Sequence, residues 1–146
     1  VLAPMMIGQS AWSYFRNRKE AKRRAEAMLD RVGLLHRATH RPAEMSGGEM
    51  QRTAIARALM IDPRLLLADE PTAALDVDAR HAIEALARQL ADEGISIIWV
   101  SHDTDQVRRL ADHALAIVDG KVAAFGHLDE LDASTDPIVR RLIGAP

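Results

Sequence analysis

The chain is predicted to adopt an α/β fold with a parallel sheet, preceded by a mainly helical part. An all-apolar run at residues 65–68 and a mostly apolar run at residues 95–100 are predicted strands that alternate with helical patterns. This order is typical of parallel strands joined by right-handed crossovers. The pair Asp119-Gly120 separates two further apolar runs and is a strong signal for a two-residue hairpin. We therefore expect a parallel sheet that carries an antiparallel edge.

Two helices are expected before the first strand. Apolar residues recur at helical spacing over residues 18–32, and the basic side chains among them are expected on the solvated face. Residues 36–44 are interpreted as a connector, and a second helix is predicted from Ser46 to about Met60. Residues 1–60 are therefore expected to form a helical subdomain.

The remaining elements are punctuated by helix caps. The strand at residues 65–68 is wholly apolar, which suits a parallel strand buried on both faces. Asp76 can cap a helix that runs to about Ala91, and Asp103 or the threonine after it can cap another. The tail from Leu128 is predicted to be helical.

Composition and charge narrow the class of protein. Of 146 residues, 48% are hydrophobic and 27% charged, as in ordinary globular domains. The formal net charge of -2 gives no reason to expect nucleic acid as a partner. The chain has no cysteine, which excludes disulfides and thiolate metal sites and fits a reducing cytosol. No apolar run reaches the roughly 18 residues of a membrane helix, so membrane association is expected to come through a partner.

The first candidate site is Ser46-Gly47-Gly48-Glu49 at the start of the second predicted helix. Free N–H groups and a partial positive charge at a helix start favour phosphate, and glycines let a ligand approach the backbone. The alternative is a capping box formed by the serine and the glutamate alone. Capping does not explain two successive glycines, which weaken a helix by up to about 1 kcal/mol each.

Two further candidates follow the predicted parallel strands, where ligands of open α/β sheets bind. Asp69 and Glu70 come directly after an apolar strand, in an arrangement that could support Mg²⁺ and polarise a water molecule. His102 follows the next strand and could contact a phosphate oxygen. Taken singly, an acidic loop and a surface or capping histidine remain the alternatives.

These segments, in this order, resemble the ABC ATPase family over essentially the whole chain. Residues 45–52 are similar to its signature motif, usually written LSGGQ, and residues 65–70 to its Walker B strand and catalytic glutamate. Residues 73–76 resemble its D-loop, and His102 stands where its switch histidine stands. The chain departs at three motif positions, with Met45, Glu49 and Ala73 where leucine, glutamine and serine are usual.

The resemblance implies an architecture and a set of roles. Residues 61–146 would be the C-terminal part of a RecA-like, P-loop NTPase-type core, and residues 1–60 the helical signature subdomain. Asp69 would support Mg²⁺, Glu70 would act as general base or orient water, and His102 would contact the γ-phosphate of ATP. The residues implied to bind ATP on an opposite subunit, or to couple the two sites, are Ser46, Gly47, Gly48, Glu49 and Asp76.

The resemblance also implies partners and a location. Two such ATPase domains would assemble head to tail and drive a transmembrane permease from the cytoplasmic side of the membrane. No G-x-x-x-x-G-K-[ST] loop occurs in the sequence, so we expect an N-terminally truncated ATPase that is inactive by itself. Its sheet would expose apolar faces. The alternatives are a non-catalytic fragment and a non-transport ABC ATPase.

Two smaller clusters are interpreted more simply. Trp12, Tyr14 and Phe15 either pack within the helical part or receive a coupling helix from the membrane subunit. His36 and His40 have helical spacing, but arginines beside them and the lack of a carboxylate disfavour a metal site. A structural role is expected for both histidines.

Overall fold

The computed structural model describes residues 11–142, and the side chains from residue 18 onward except those of residues 138 and 142. Helix α1 spans Ala11–Arg31 and so begins earlier than predicted. The connector contains two 3₁₀ turns, Leu35–Arg37 and Pro42–Glu44. Helix α2 spans Gly47–Leu59, close to the predicted bounds. The side chains of the aromatic cluster near the start of α1 lie outside the described residues.

Strands and helices then alternate as predicted. Asp76 and Asp103 cap the helices that follow the two parallel strands. The two-residue turn at Asp119-Gly120 has the positive φ angles, 50° and 72°, of a tight hairpin. The elements in chain order are β1 (Leu65–Asp69), α3 (Val77–Asp92), β2 (Ser96–Val100), α4 (Thr104–Leu110), β3 (His113–Val118), β4 (Lys121–His127), α5 (Leu128–Asp132) and α6 (Pro137–Leu142).

The strands form two separate sheets. Strands β1 and β2 pair in parallel, from Leu65 opposite Ser96 to Asp69 opposite Val100. Strands β3 and β4 pair with each other in an antiparallel sheet of their own. The expectation that the hairpin forms an edge of the parallel sheet is therefore wrong. Alternating apolar residues predict that a hairpin forms, but they carry no information on which sheet its outer edge joins.

One hydrophobic core holds the helices against the parallel strands. Leu34, Leu59 and Leu90, each no more than 1% exposed, come from the connector, α2 and α3. Leu66 of β1 and Ile97 of β2 pack against this cluster from the sheet. The core therefore contains side chains from both predicted parts of the chain and fixes α2 beside the parallel strands.

The opposite face of the parallel sheet is exposed. Leu67 is 70% exposed and Ile98 51% exposed, and Leu65 and Val100 on the same face are also exposed. The prediction that these strands are buried on both faces is thus wrong, because successive side chains alternate between faces and the helices cover only one. The expectation that the sheet exposes an apolar face is confirmed.

Candidate functional site

The carboxyl ends of β1 and β2 bring the predicted acidic residues and the histidine together. Asp69 lies opposite Val100 in the parallel register. One residue later, the backbone N–H of Glu70 donates to the carbonyl of Val100 at 3.0 Å. The two loops that leave the strands therefore start side by side. Strand pairing thus brings Glu70 and His102 close together although they are far apart in the sequence.

Glu70 and His102 are in direct contact. The Glu70 Oε1 and His102 Nδ1 atoms lie 2.7 Å apart. Glu70 has a φ of 45°, in the left-handed region that side chains seldom adopt. Such conformations are often found at functional sites, where surrounding contacts hold them. The bend turns the chain sharply at the end of β1.

The carboxylate changes the proton affinity of the imidazole. The hydrogen bond from Glu70, and then its negative charge, raise the pKa of His102, with a smaller contribution from Asp103. The imidazolium form donates its Nδ1 proton to Glu70. Among the described residues none bonds to Nε2, so this second N–H is available for an anionic ligand.

Asp69 fits a hydrated magnesium ion. Its residue is exposed at the end of β1, and no described side chain pairs with its carboxylate. Within the described range, no cluster of three histidine or carboxylate ligands could hold a metal by itself. One free carboxylate is nonetheless what Mg²⁺ commonly uses, because this ion keeps several waters and takes its other ligands from phosphates.

The start of α2 contains a complete capping box. The backbone N–H of Glu49 donates to Ser46 Oγ at 3.2 Å, and the N–H of Ser46 donates to Glu49 Oε2 at 2.8 Å. Arg37 Nε donates to the other carboxylate oxygen at 2.8 Å. The backbone bond from Ser46, followed by the bond from Arg37, lowers the pKa of Glu49, which stays ionised and paired.

The two glycines of this turn also serve packing. A Cβ on Gly48 would lie 2.8 Å from the Cβ of Ala79, and a Cβ on Gly47 would lie 3.2 Å from Leu75 Cδ2. Asp76 lies between these two contacts and caps α3, accepting from the Ala79 N–H at 2.8 Å. Close helix packing is therefore a second reason for the glycines, beside the approach of a ligand.

The predicted site residues thus fall into two clusters. The sheet cluster comprises Asp69, Glu70 and His102. The helix-start cluster comprises the four residues of the turn before and within α2 together with Asp76, joined through the contact of Gly48 with Ala79. No hydrogen bond or ion pair between described residues of the two clusters links them directly.

A buried polar group beside the sheet cluster has no counterpart among the sequence predictions. Thr72, Glu84 and Gln106 are each at most 7% exposed. Trp99 could have indicated this group, because its indole N–H lies in an apolar strand and needs an acceptor. Its acceptor is the side-chain oxygen of Gln106 at 3.0 Å.

Known proteins match this chain over most of its length. The profile of the ABC transporter family matches residues 2–73. The lipoprotein-releasing system ATP-binding protein LolD 2 of Rhodopirellula baltica is 53% identical over 121 residues, covering 82% of this chain and 47% of the relative. The glutamine transport ATP-binding protein GlnQ of Escherichia coli is 41% identical over 111 residues, covering 76% of this chain and 46% of the relative. The chain spans about half the length of these curated relatives.

Solved structures agree with the sequence matches. A nucleotide-free ATP-binding cassette from an ABC transporter superposes with a TM-score of 0.77 at 26% identity, over 95% of this chain and 58% of that one. A cassette in its ADP conformation superposes with a TM-score of 0.75 at 27% identity, over 96% of this chain and 58% of that one. No helix between residues 11 and 142 is long and apolar enough to span a membrane. The chain belongs to the ABC transporter family and is related to its ATP-binding proteins.

Proposed function

We propose that this chain is the signature and Walker B part of an ATP-hydrolysing subunit that powers a transmembrane permease. The observation that carries the proposal is the contact between Glu70 and His102 at the carboxyl ends of two parallel strands, with Asp69 one residue away. Ligands of open α/β sheets bind at this edge. Phosphoryl transfer to water uses a metal-binding carboxylate and a group that positions the water, and an imidazole at the same edge can contact a phosphate oxygen.

The roles of the sheet cluster follow from its geometry. Glu70 accepts a proton from the attacking water, or orients it, through the carboxylate oxygen that the imidazole does not engage. His102 donates from Nε2 to a phosphate oxygen, and its raised pKa favours the charged form that does this best. Asp69 would hold Mg²⁺, largely through water. The metal, when bound, offsets negative charge on the phosphates.

The helix-start cluster would act on a different ATP molecule. Ser46, Gly47 and Gly48 present the first turn of α2, whose N–H groups and partial positive charge favour a γ-phosphate held by an opposite subunit. Glu49 would place a negative charge in this turn, but its pairing with Arg37 offsets that charge. Asp76 would couple the two sites across a head-to-tail dimer, since it caps the helix on which the glycine turn packs.

The missing element in this assembly is a phosphate-binding loop. No Walker A sequence occurs among the 146 residues, so the β- and γ-phosphates would be held by polypeptide outside them. We propose that this chain alone is catalytically inactive and becomes active when joined to such a loop. The two relatives are named for lipoprotein release and for glutamine transport, which supports a shared motor and assigns no cargo.

Calorimetry with MgATP tests the proposal. The 146-residue chain is compared with the same chain fused behind an upstream half that supplies a phosphate-binding loop. We expect binding by the fusion only, with an unchanged affinity for the Glu70→Gln fusion because the carboxylate acts on water rather than on bound ATP. Tight MgATP binding by the short chain would show that a phosphate site lies within these residues, contrary to the proposal.

A further inference from the structure

Gln106 is the central residue of a hydrogen-bonded group beside the sheet cluster. We call this group, which also contains Thr72, Glu84 and Trp99, the hub. Gln106 lies on α4 and is only 2% exposed. The Nε2 atom donates to Thr72 Oγ1 and to Glu84 Oε1, each at 2.8 Å. The Oε1 atom accepts from Trp99 Nε1 at 3.0 Å. Every proton of the amide and one lone pair of its oxygen are therefore engaged.

These partners lead to both loops of the candidate site. Thr72 lies two residues after Glu70, and Trp99 lies on β2 three residues before His102. The backbone N–H of Gln106 also donates to Asp103 Oδ1 at 3.0 Å, directly beside His102. One residue thus holds the chain on the far side of Glu70 and on both sides of His102.

Glu84 fixes which way the amide points. An ionised carboxylate only accepts hydrogen bonds, so the Gln106 nitrogen must face it and the oxygen must face Trp99. Burial raises the pKa of Glu84, but the hydrogen bonds from Arg109 and Gln106 outweigh this effect and lower it. Arg109 Nη2 donates to Glu84 Oε1 at 3.1 Å and keeps the carboxylate in place.

We propose that Gln106 is a positioning residue for the Glu70–His102 contact, holding the two loops in register from below. A catalytic effect of this positioning rests on the proposed function, but the positioning of Glu70 and His102 by Gln106 does not. Glu70 needs such support because its φ of 45° is unfavourable for a side chain that bears a Cβ. Released from Thr72, the loop after Glu70 would relax, and the carboxylate would leave the imidazole.

A purely structural role for the hub makes a different prediction. Loss of a buried hydrogen bond would then lower stability while leaving the environment of His102 in the folded chain unchanged. The ionisation of His102 distinguishes the two roles, because the nearby Glu70 carboxylate is the main cause of its raised pKa. Stability and pKa are therefore measured on the same variants.

The experiment is an NMR titration of His102 in the 146-residue chain, with the signal assigned from its loss in His102→Asn. The variants are Thr72→Val, which removes one hydroxyl from the hub, and Gln106→Leu, which removes the amide. Ile83→Val is the matched control, because Ile83 is fully buried on α3 beside Glu84 but has no part in the hub. Its expected loss of stability is small, about 0.5–1.5 kcal/mol.

We expect the pKa of His102 to fall toward the ordinary value near 6.5 in both hub variants and to stay unchanged in the control. An unchanged pKa in Thr72→Val or in a folded Gln106→Leu would overturn the proposal. If Gln106→Leu does not fold, Thr72→Val alone decides. The titration contains no nucleotide, so an unchanged pKa would refute the positioning role of Gln106 and leave the proposed function standing. Fusions that are inactive, while the pKa of His102 falls as expected in the hub variants, would refute only the proposed function.

Discussion

At the residue scale, the pairing of Glu70 with His102 sets the ionisation of the candidate site. The two side chains meet at 2.7 Å without being removed from solvent, since the imidazole side chain is 82% exposed. The rise in the pKa of His102 comes mainly from this hydrogen bond and then from the negative charge of Glu70. A neutral partner at position 70 would accept the same hydrogen bond more weakly and carry no charge.

Glu70→Gln is expected to lower the pKa of His102. Since the folded-state pKa is raised, the pair stabilises the folded chain fully below the unfolded pKa near 6.5 and loses this contribution as pH rises through the folded value. In Glu70→Gln most of this pH dependence should be lost, because only the smaller contribution of Asp103 remains. Titration of His102 by NMR, together with urea unfolding at several pH values, measures both effects.

Asp103→Asn is the control for Glu70→Gln, because it removes a different negative charge beside His102. Asp103 contributes less than Glu70 to the raised pKa of His102, so its substitution should lower that pKa by the smaller amount. An equal or larger fall for Asp103→Asn would contradict the assignment of Glu70 as the principal partner. Since Asp103 also caps α4, stability is recorded in parallel.

At the element scale, helix starts were the most predictable features. Ser46, Asp76 and Asp103 were each predicted as a helix cap or start and each accepts the expected backbone hydrogen bond. Cap geometry depends on residues three apart, so a local pattern suffices to predict it. The Asp119-Gly120 hairpin was predicted for the same reason.

Features that depend on distant residues were not predicted. The hub joins Thr72, Glu84, Trp99 and Gln106, which lie on four different segments and show no pattern in sequence. The placement of the hairpin in its own sheet likewise depends on long-range packing. In the sheet cluster, the sequence order of the strands indicated proximity, but the contact of Glu70 with His102 emerged only from the register of β1 with β2.

The packing of α2 on α3 predicts the effect of a small substitution. Gly48→Ala would place a Cβ 2.8 Å from that of Ala79, closer than folded proteins allow. We expect a loss of about 1–3 kcal/mol of unfolding free energy from this overpacking, measured by urea denaturation.

The suppressor is Ala79→Gly, which removes the opposing Cβ. The double variant should recover part of the stability lost in Gly48→Ala, beyond what the two single effects predict. Strictly additive effects would show that Gly48 is not required for this contact. Gly120→Ala serves as a control for a glycine held by its positive φ, where no neighbouring atom lies within 4 Å of the added Cβ.

At the scale of the whole molecule, the uncovered face of the parallel sheet is the main departure from a closed fold. Parallel strands are usually covered on both faces, yet Leu65, Leu67, Ile98 and Val100 are all exposed. Phe125 on the separate hairpin is 70% exposed as well. Exposed apolar patches of this kind promote association.

Leu67→Lys is expected to reduce self-association of the chain without lowering the stability of its monomer. The side chain is 70% exposed, so a charge there costs little and repels a second apolar face. Sedimentation over a concentration series and thermal melting measure the two properties. Leu66→Lys is the matched contrast, since Leu66 packs against the core and its substitution should unfold the chain. A wild-type monomer with a cooperative melt at high temperature would contradict this account of the uncovered face.

The most direct test of the central claim is ATP turnover by the chain fused behind a phosphate-binding half, with and without Glu70→Gln. The account predicts no turnover by the 146-residue chain, measurable turnover by the fusion, and a loss of at least about 100-fold in the Glu70→Gln fusion, the lower range for removal of a general base. Turnover by the short chain itself, or undiminished turnover by the Glu70→Gln fusion, would contradict it.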